Sequence, residues 1–212
     1  MMKKPPPLLE PLSEILLDLK DQMPNDRVSL SDILTALEDR GFGCMLFLFA
    51  LPAAVPLPGL GVNVIIALPL LFLTVQQMVG RSSIWLPESM KDKSISKSRF
   101  DTTLEKSMPF VRKIEYLTRP RIGFISQGIF RNIIGFFGFV MTLSICVPLP
   151  LTNTVPAFGI ALMAVGMIMR DGLAVIAGAV IGTLWVFAIF FAIIFLGVEG
   201  VELLKETIKG WI

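Results

Sequence analysis

Uncharged and charged stretches alternate along the chain, and this alternation predicts its elements. Three stretches, residues 41–80, 132–169 and 172–198, contain no Asp, Glu, Lys or Arg. Ahead of the first stretch, apolar residues recur at helical spacing: Leu12, Ile15, Leu16 and Leu19, then Leu30, Ile33, Leu34 and Leu37. The pattern predicts two short amphipathic helices, lying on a membrane surface, against a partner helix or on the protein's own loops. Ser29 and Asp32 have the spacing of a capping box at the start of the second.

Each of the first two uncharged stretches is interrupted by the same four residues, Val55-Pro56-Leu57-Pro58 and Val147-Pro148-Leu149-Pro150. Two prolines at this spacing end a helix, because each lacks an N–H and its ring crowds the preceding turn. Hydrocarbon tolerates such a break only where it lines a cavity or packs against protein. We therefore predict two hydrophobic hairpins with proline-broken tips.

The lengths of the arms leave two topologies open. The first arm, residues 41–55, is about 22 Å long as a helix, which is short for a hydrocarbon core of about 30 Å. The second arm, residues 61–79, is long enough to span. A re-entrant hairpin and a thin or tilted crossing both fit. The third uncharged stretch is longer than the roughly 20 residues of one crossing, so it predicts a final transmembrane helix.

The two hairpins superimpose at an offset of 92 residues. Gly43 then falls on Gly135, Phe47 on Phe139 and Leu51 on Leu143, and the two Val-Pro-Leu-Pro units coincide. We interpret this as an internal duplication, whose copies are parallel or inverted depending on how often each crosses. Asn63, Gln76 and Gln77 are the polar residues of the first hairpin that most need partners.

Composition fits a single all-α domain of a polytopic membrane protein. Of 212 residues, 54% are hydrophobic and 17% charged, and the mean hydropathy is +0.74. The start of the chain is polar, so we expect no signal peptide. The predicted parts are an amphipathic segment, the first hairpin, a basic middle, the second hairpin, the last crossing and an amphipathic tail: residues 1–40, 41–80, 81–131, 132–169, 172–198 and 199–212.

The basic middle carries eleven Lys or Arg against five acidic residues. Beside membrane segments, this excess predicts that the middle is cytoplasmic. If each hairpin returns to its own side, the N-terminus is cytoplasmic as well, and the last helix crosses and leaves the C-terminus outside. Within the middle we predict two short surface helices interrupted at Pro109, with Trp85 as an interfacial anchor. The cations also suit anionic lipid or an acidic polymer, although topology alone explains them. The candidates for such contacts are Arg40, Arg81, Lys91, Lys93, Lys97, Arg99, Arg119, Arg121 and Arg131.

Candidates for a substrate path lie at the two breaks, where unpaired backbone groups could meet a polar substrate. They are Pro56, Pro58, Gly59, Asn63, Pro148, Pro150, Thr152 and Asn153. The polar run at Thr152 and Asn153 equally suits capping of the next helix. Gly178 and Gly182 form a small-xxx-small pattern for close helix packing, within the monomer or across a homodimer. We interpret Arg170 and Asp171 as a solvated interfacial pair.

Enzymatic chemistry is disfavoured by the residue types. The chain has no His, and its two cysteines, Cys44 and Cys146, lie in apolar sequence. No nucleophile–base pair, metal-ligand cluster or phosphate-binding loop is visible, so we predict no catalytic residue, metal or cofactor. The basic segment lacks the interleaved aromatic residues of nucleic-acid binders. We expect membrane lipids and a second copy of the chain as partners.

Several short motifs, in this order and spacing, resemble the ExoD family of bacterial inner-membrane proteins. They are Asp39-Arg40-Gly41-Phe42-Gly43, residues 51–59, Gly80-Arg81, Trp85-Leu86-Pro87 and Arg119-Pro120-Arg121. The resemblance spans about residues 29–200 and implies a bacterial inner-membrane, multi-pass protein of exopolysaccharide synthesis, with no catalytic residues to carry over. Two roles follow as hypotheses: a small carrier, channel or lipid-linked-substrate handling protein, or a non-catalytic subunit of a polysaccharide-synthesis complex.

Overall fold

The computed structural model describes residues 11–22, 27–37, 40–55, 62–91, 93–126, 128–147 and 153–209. Over these residues the protein is almost entirely α-helical, which confirms the all-α prediction apart from one pair of three-residue strands. The helices form two groups. The described residues within 41–78 and 129–209 form an apolar bundle, and those within 12–37 and 88–117 form a charged module that packs against it.

The module begins with the two predicted amphipathic helices, α1 (Leu12–Gln22) and α2 (Leu30–Leu37), separated by strand β1 (Arg27–Ser29). The capping box at α2 is confirmed, because Ser29 and Asp32 exchange hydrogen bonds. The Ser29 N–H donates to Asp32 Oδ2 (3.0 Å) and the Asp32 N–H donates to Ser29 Oγ (3.1 Å). Both orphan donors are thereby satisfied at the helix start.

The first hairpin follows as α3 (Gly41–Ala54) and α4 (Val62–Met78), close to the bounds expected from the pattern. Beyond it the chain forms the short α5 (Glu88–Lys91), strand β2 (Ser94–Ser96) and α6 (Lys97–Leu117). The two strands pair antiparallel, with Val28 opposite Ile95. Three-residue strands leave too little alternation in a sequence to be predicted.

Helix α6 corrects the prediction of an interruption at Pro109. Pro109 lies inside one continuous 21-residue helix. A proline in a helix interior removes one hydrogen bond and crowds the preceding turn. The helix nevertheless continues because apolar side chains are packed on both sides of the proline: Phe100, Leu104 and Met108 are buried before it, and Val111 packs against a second apolar cluster after it.

The second hairpin consists of α7 (Ile129–Cys146) and α8 (Thr154–Met169), preceded by a 3-10 turn (Gly123–Ser126). The last helix, α9 (Gly172–Lys209), contains one non-helical residue, Gly197 (φ 65°, ψ −167°). Gly197 lies one residue before the predicted end of the uncharged stretch. Two described helical segments, Ile129–Cys146 and Gly172–Phe195, are long and apolar enough to cross a membrane, whereas α3, α4 and α8 are shorter.

Helix pairing in the bundle crosses between the hairpins. α3 packs on α8 and α4 packs on α7, and α9 lies along α8 and α7. The shared core contains fully buried side chains from both hairpins, including Leu46, Leu70, Met141, Ile160 and Met163. An approximate twofold axis relates the two hairpins. Replacing α3 by α7 and α4 by α8 converts the α3–α8 contact into the α7–α4 contact, which is also present.

Matching positions of the two hairpins also have matching environments. The buried residues Phe42, Gly43, Leu46, Ala50 and Ala53 of α3 correspond, 92 positions later, to the buried residues Ile134, Gly135, Gly138, Thr142 and Ile145 of α7. Both helices end identically: Val55 and Val147 are extended, and each N–H donates to the carbonyl three residues back (3.3 and 3.1 Å). This agreement is the one expected of duplicated hairpins.

Candidate functional site

The tips of the two hairpins lie at the same end of the bundle. Gly135 and Gly138 of α7 meet Gln77 and Thr74 of α4 respectively, so these helices are antiparallel. Gly43, near the start of α3, meets Ile168, near the end of α8. The starts of α3 and α7 and the ends of α4 and α8 are therefore together, and the helix ends that flank the two tips lie at the opposite end of the bundle. This is the parallel arrangement of copies.

The tips themselves are mostly outside the described residues. Six of the eight substrate-path candidates fall there: Pro56, Pro58, Gly59, Pro148, Pro150 and Thr152. Asn63 lies in the first turn of α4. Asn153 precedes α8 with φ −101° and ψ −49°, and its side chain makes no capping hydrogen bond. Its backbone carbonyl instead accepts from the Ala157 N–H (2.9 Å).

The cationic candidates do not form one surface. Arg81, Lys93, Arg99, Arg119 and Arg121 are exposed, whereas Lys91, Lys97 and Arg131 are half-buried. Arg40 is only 7% exposed, so little of its side chain is accessible for a contact with lipid. Lys91 forms an ion pair with Glu88 (2.7 Å).

Asp171 is a buried structural residue, which corrects its interpretation as half of a solvated pair. Its Oδ1 accepts from the Leu173 N–H (3.1 Å), at the start of α9. Its Oδ2 accepts from the Arg119 N–H (3.4 Å), and the neighbouring Gly172 N–H donates to the Arg121 carbonyl (2.7 Å). A carboxylate at a helix N-terminus is stabilised by the unpaired N–H groups. The Arg-Pro-Arg motif is thus attached through its backbone to the α8–α9 turn.

The adjacent residues Gln76 and Gln77 differ in their hydrogen bonding. Gln76 brackets Trp85: its Oε1 accepts from the Trp85 N–H (2.6 Å) and its Nε2 donates to the Trp85 carbonyl (3.2 Å). Gln77 is fully buried, and its Nε2 contacts the Met167 sulfur (3.4 Å). Its Oε1 accepts no hydrogen bond from the described part of the chain.

The two packing glycines lie inside the monomer. A Cβ at Gly178 would come within 2.5 Å of the Gly159 carbonyl, and one at Gly182 would overlap the Met141 sulfur. Both glycines therefore let α9 approach α8 and α7 closely. The homodimer stays a prediction, and the glycine pattern that suggested it already has a partner within this chain.

A large apolar cavity, the junction cavity, lies where the module meets the bundle. It has a volume of about 460 Å³ and is lined by α1, α2, α3, α6 and the end of α8. Its wall is apolar except for Ser107 and Cys44, and it includes Leu16, Ile33, Phe47, Val111 and Ile168. Leu48 and Leu51 line it and are also exposed on α3, so the cavity opens at the outer face of that helix.

A second, polar pocket lies on the other side of α2. It has a volume of about 280 Å³, and its polar lining consists of Ser31, Thr35, Ser83 and Lys91. Leu34 lines both this polar pocket and the junction cavity, so the two share a wall. An apolar chamber beside a small hydroxyl- and ammonium-lined chamber suits an amphipathic molecule.

Within the module, polar contacts at both ends of α1 hold it against α6. The Glu115 carboxylate accepts from the Ser13 N–H and from its hydroxyl, both at 2.8 Å. At the other end of α1, Lys20 pairs with Glu105 (2.9 Å), which raises the pKa of Lys20 above its ordinary value.

Sequence reasoning missed this cavity because its walls come from five separate helices. The only signal was the apolar stripes of α1, α2 and α6, which predict burial but not what is buried against them. Among the described residues there is no group of three or more Cys, Asp or Glu side chains that could hold a metal ion.

Comparison with known proteins identifies relatives of this chain. A family model described as "Exopolysaccharide synthesis, ExoD" matches residues 12–191. An uncharacterized protein of Synechocystis is 27% identical over 186 residues, covering 87% of both chains. Protein ExoD of Rhizobium meliloti is 27% identical over 171 residues, covering 79% of this chain and 71% of the relative. No solved structure matches.

Proposed function

The chain belongs to the ExoD family, and from that premise we propose that it supports exopolysaccharide synthesis as a multi-pass inner-membrane protein that handles a lipid-linked substrate. The observation that carries the proposal is the division of the molecule into an apolar-surfaced bundle and a charged module with a cavity between them. The proposed role is non-catalytic and needs no cofactor.

The outer surface of the bundle supports a membrane location. Large apolar side chains are exposed on α3, α4, α7, α8 and α9, among them Leu48, Ile65, Phe136, Phe158 and Phe187. Soluble monomers rarely expose contiguous apolar patches beyond a few hundred Å². Helices α3, α4 and α8 carry no charged side chain at all. Lipid is the solvent that suits such a surface.

Helix lengths support a topology in which the hairpins re-enter from the cytoplasmic side. The apolar part of α9 has 24 residues, about 36 Å, whereas α3 and α8 are about 21 and 24 Å long and α7, the longest arm, is about 27 Å long. α9 starts at the module end and runs antiparallel to α8, so it extends past the first residue of α8. With the basic module in the cytoplasm, α9 crosses fully and the tips lie at membrane depth.

Cysteine accessibility tests this topology. In a Cys44→Ser, Cys146→Ser background, we would place single cysteines at Gly59, Thr152, Ser94 and Thr207. We expect Thr207→Cys to label from outside intact cells and Ser94→Cys only after permeabilisation, with both tip cysteines protected on either side. Labelling of both tips from outside would instead indicate hairpins that cross completely.

Polysaccharide output tests the role. We expect a deletion strain to lose surface polysaccharide and to accumulate lipid-linked sugar, because the step that uses the linked sugar fails. Asn63→Ala with Asn153→Ala should reproduce part of this loss at wild-type protein abundance if the tips contact substrate. Normal output in the deletion strain would refute the proposed function.

The alternative role, a subunit of a synthesis complex, is favoured by one observation. The outer face of α6 exposes Arg99, Lys106, Arg112 and Lys113, as a contact surface for an acidic partner would. Reversing these four charges should then abolish co-purification with the synthesis enzymes. Unchanged co-purification with full polysaccharide output would count against the subunit role.

A further inference from the structure

The junction cavity has the features of a lipid-chain site. Its wall is almost entirely hydrocarbon, and its volume of about 460 Å³ lies within the usual range for small-molecule sites. Its mouth includes Leu48 and Leu51, which belong to the exposed apolar surface of α3. A chain can therefore enter sideways from the surface that we propose to face lipid, without passing through water.

The polar pocket supplies what a charged head group needs. It is lined by the Lys91 ammonium and by the hydroxyls of Ser31, Thr35 and Ser83. Leu34 is the residue that lines both chambers. The ion pair of Lys91 is with Glu88, a residue whose side chain is 81% exposed. Such an exposed pair is weak, so the flexible ammonium can turn to an anionic ligand at little cost.

We propose that these two chambers bind one single-chain lipid phosphate, with the hydrocarbon chain in the junction cavity and the phosphate head in the polar pocket, once the Leu34 side chain that separates the two chambers turns aside. The junction cavity, at about 460 Å³, has the size of a site for one small molecule, so we expect it to take one hydrocarbon chain and not the two chains of a bilayer phospholipid. This inference rests on the proposed function, in which the substrate is a lipid-linked sugar, and it adds the binding site and the chemical class of the ligand.

Photolabelling of the purified full-length protein in detergent tests the chain site. The probe is a polyprenyl phosphate with a photoreactive group on its chain, and a diacyl phosphatidylglycerol with the same group is the comparison. We expect the polyprenyl probe to label peptides of α3 and α6 that line the cavity. Ser107→Phe, which fills the cavity, should reduce labelling about tenfold.

Two matched variants separate binding from general damage. Ser98→Phe places the same ring at an exposed position of the same helix and should leave labelling unchanged. Lys91→Gln should weaken probe affinity several-fold, whereas Lys93→Gln, two residues away and outside the lining, should not. If Ser107→Phe fails to fold, the positions labelled in the unmodified protein still decide, because labels away from the lining contradict the site.

The possible outcomes distinguish this site from the proposed function. Equal labelling by the phosphatidylglycerol probe, or full competition by that lipid, would mean ordinary bilayer lipid only and would overturn the proposal. Specific binding together with normal polysaccharide in the deletion strain would retain the site and reject the function. Polysaccharide loss in the deletion strain with no cavity labelling would do the reverse.

Discussion

The two hairpins share a scaffold but differ in what covers them. On α3, the residues Cys44, Met45, Phe47, Leu48 and Leu51 line the junction cavity beneath α1, α2 and α6. The positions 92 residues later on α7 are Phe136, Phe137, Phe139, Val140 and Leu143, and there Phe136 and Leu143 are exposed. Leu48 and Leu51 of α3 are exposed as well, so the two copies differ in that α1, α2 and α6 line a cavity with α3, and not in how many of these five side chains are exposed.

The second arms of the two hairpins, α4 and α8, differ in how deeply they are buried. α8 lies between α3 and α9 and is buried along most of its length. α4 packs on α7 and α3, and it leaves Ile65, Leu68 and Phe72 exposed. The repeated hairpins therefore supply a nearly symmetric core, while α1, α2 and α6, which lie outside the hairpins, complete the junction cavity with α3 and α8.

The largest loss of stability is expected when alanine replaces the glycines at equivalent positions of the two hairpins, Gly43 and Gly135. A Cβ at Gly135 would overlap the Met78 backbone nitrogen and lie 2.7 Å from the Gln77 carbonyl carbon. Because backbone cannot move aside cheaply, we expect Gly135→Ala to cost about 3 kcal/mol of unfolding free energy. At Gly43 the nearest atom is the Ile168 side chain (2.8 Å), so Gly43→Ala should cost about 1–2 kcal/mol.

Gly41→Ala is the matched control in the same helix. Its Cβ would meet Leu34 at 3.6 Å, an ordinary contact, so stability should be retained. The measurement is reversible unfolding in detergent, followed by helical circular dichroism. If Gly135→Ala were as stable as Gly41→Ala, α4 and α7 would not cross here and the twofold arrangement would be wrong.

The next effect concerns the module over the first hairpin. Glu115→Ala removes both hydrogen bonds to Ser13, and hydrogen bonds to a charged group are the stronger kind. We expect a loss of about 2 kcal/mol in the local stability of α1. Hydrogen exchange of α1 amides measures it, with α9 amides as the internal reference. Unchanged protection of α1 would show that the apolar packing alone holds the module.

A smaller effect on stability is expected at Gln76 and Gln77. In the second hairpin the equivalent positions are apolar, Ile168 and Met169. Gln76→Leu removes the hydrogen bonds to the Trp85 N–H and carbonyl. It should lower the free energy of unfolding by about 1–2 kcal/mol, because these two backbone groups lose their partners. Gln77→Leu removes an unsatisfied buried acceptor and should be neutral or stabilising. Thermal unfolding of both variants checks this, and the reverse order would contradict the assigned contacts.

The sequence predicts the helices of the bundle well and their environment poorly. Charge-free runs and the repeated proline break locate α3, α4, α7 and α8 to within a few residues, because hydropathy and proline act locally. The burial of Arg40 and Asp171 was missed, since it depends on contacts with segments distant in the sequence. The junction cavity was missed for the same reason. The continuity of α6 through Pro109 depends on buried neighbours that local rules do not include.

The smallest effect is expected at the second tether of α1, the exposed pair of Lys20 and Glu105. Hydrogen bonding to Glu105 raises the pKa of Lys20 above the ordinary 10.5, so its contribution is fully present below that value. The contribution is lost only as the pH rises through the raised pKa. Between about pH 6 and pH 9, the melting temperatures of wild type and Lys20→Met should therefore differ by a constant and small amount, because solvent screens an exposed pair.

Hydrogen exchange of α1 in Lys20→Met completes the comparison with Glu115→Ala. We expect α1 to stay protected in Lys20→Met, since its apolar face and the Ser13–Glu115 contacts remain. Opening of α1 to the same extent in both variants would mean that the exposed Lys20–Glu105 pair holds α1 against α6 as strongly as the Ser13–Glu115 hydrogen bonds do. In that case added salt should also open α1, because ionic screening weakens exposed pairs first.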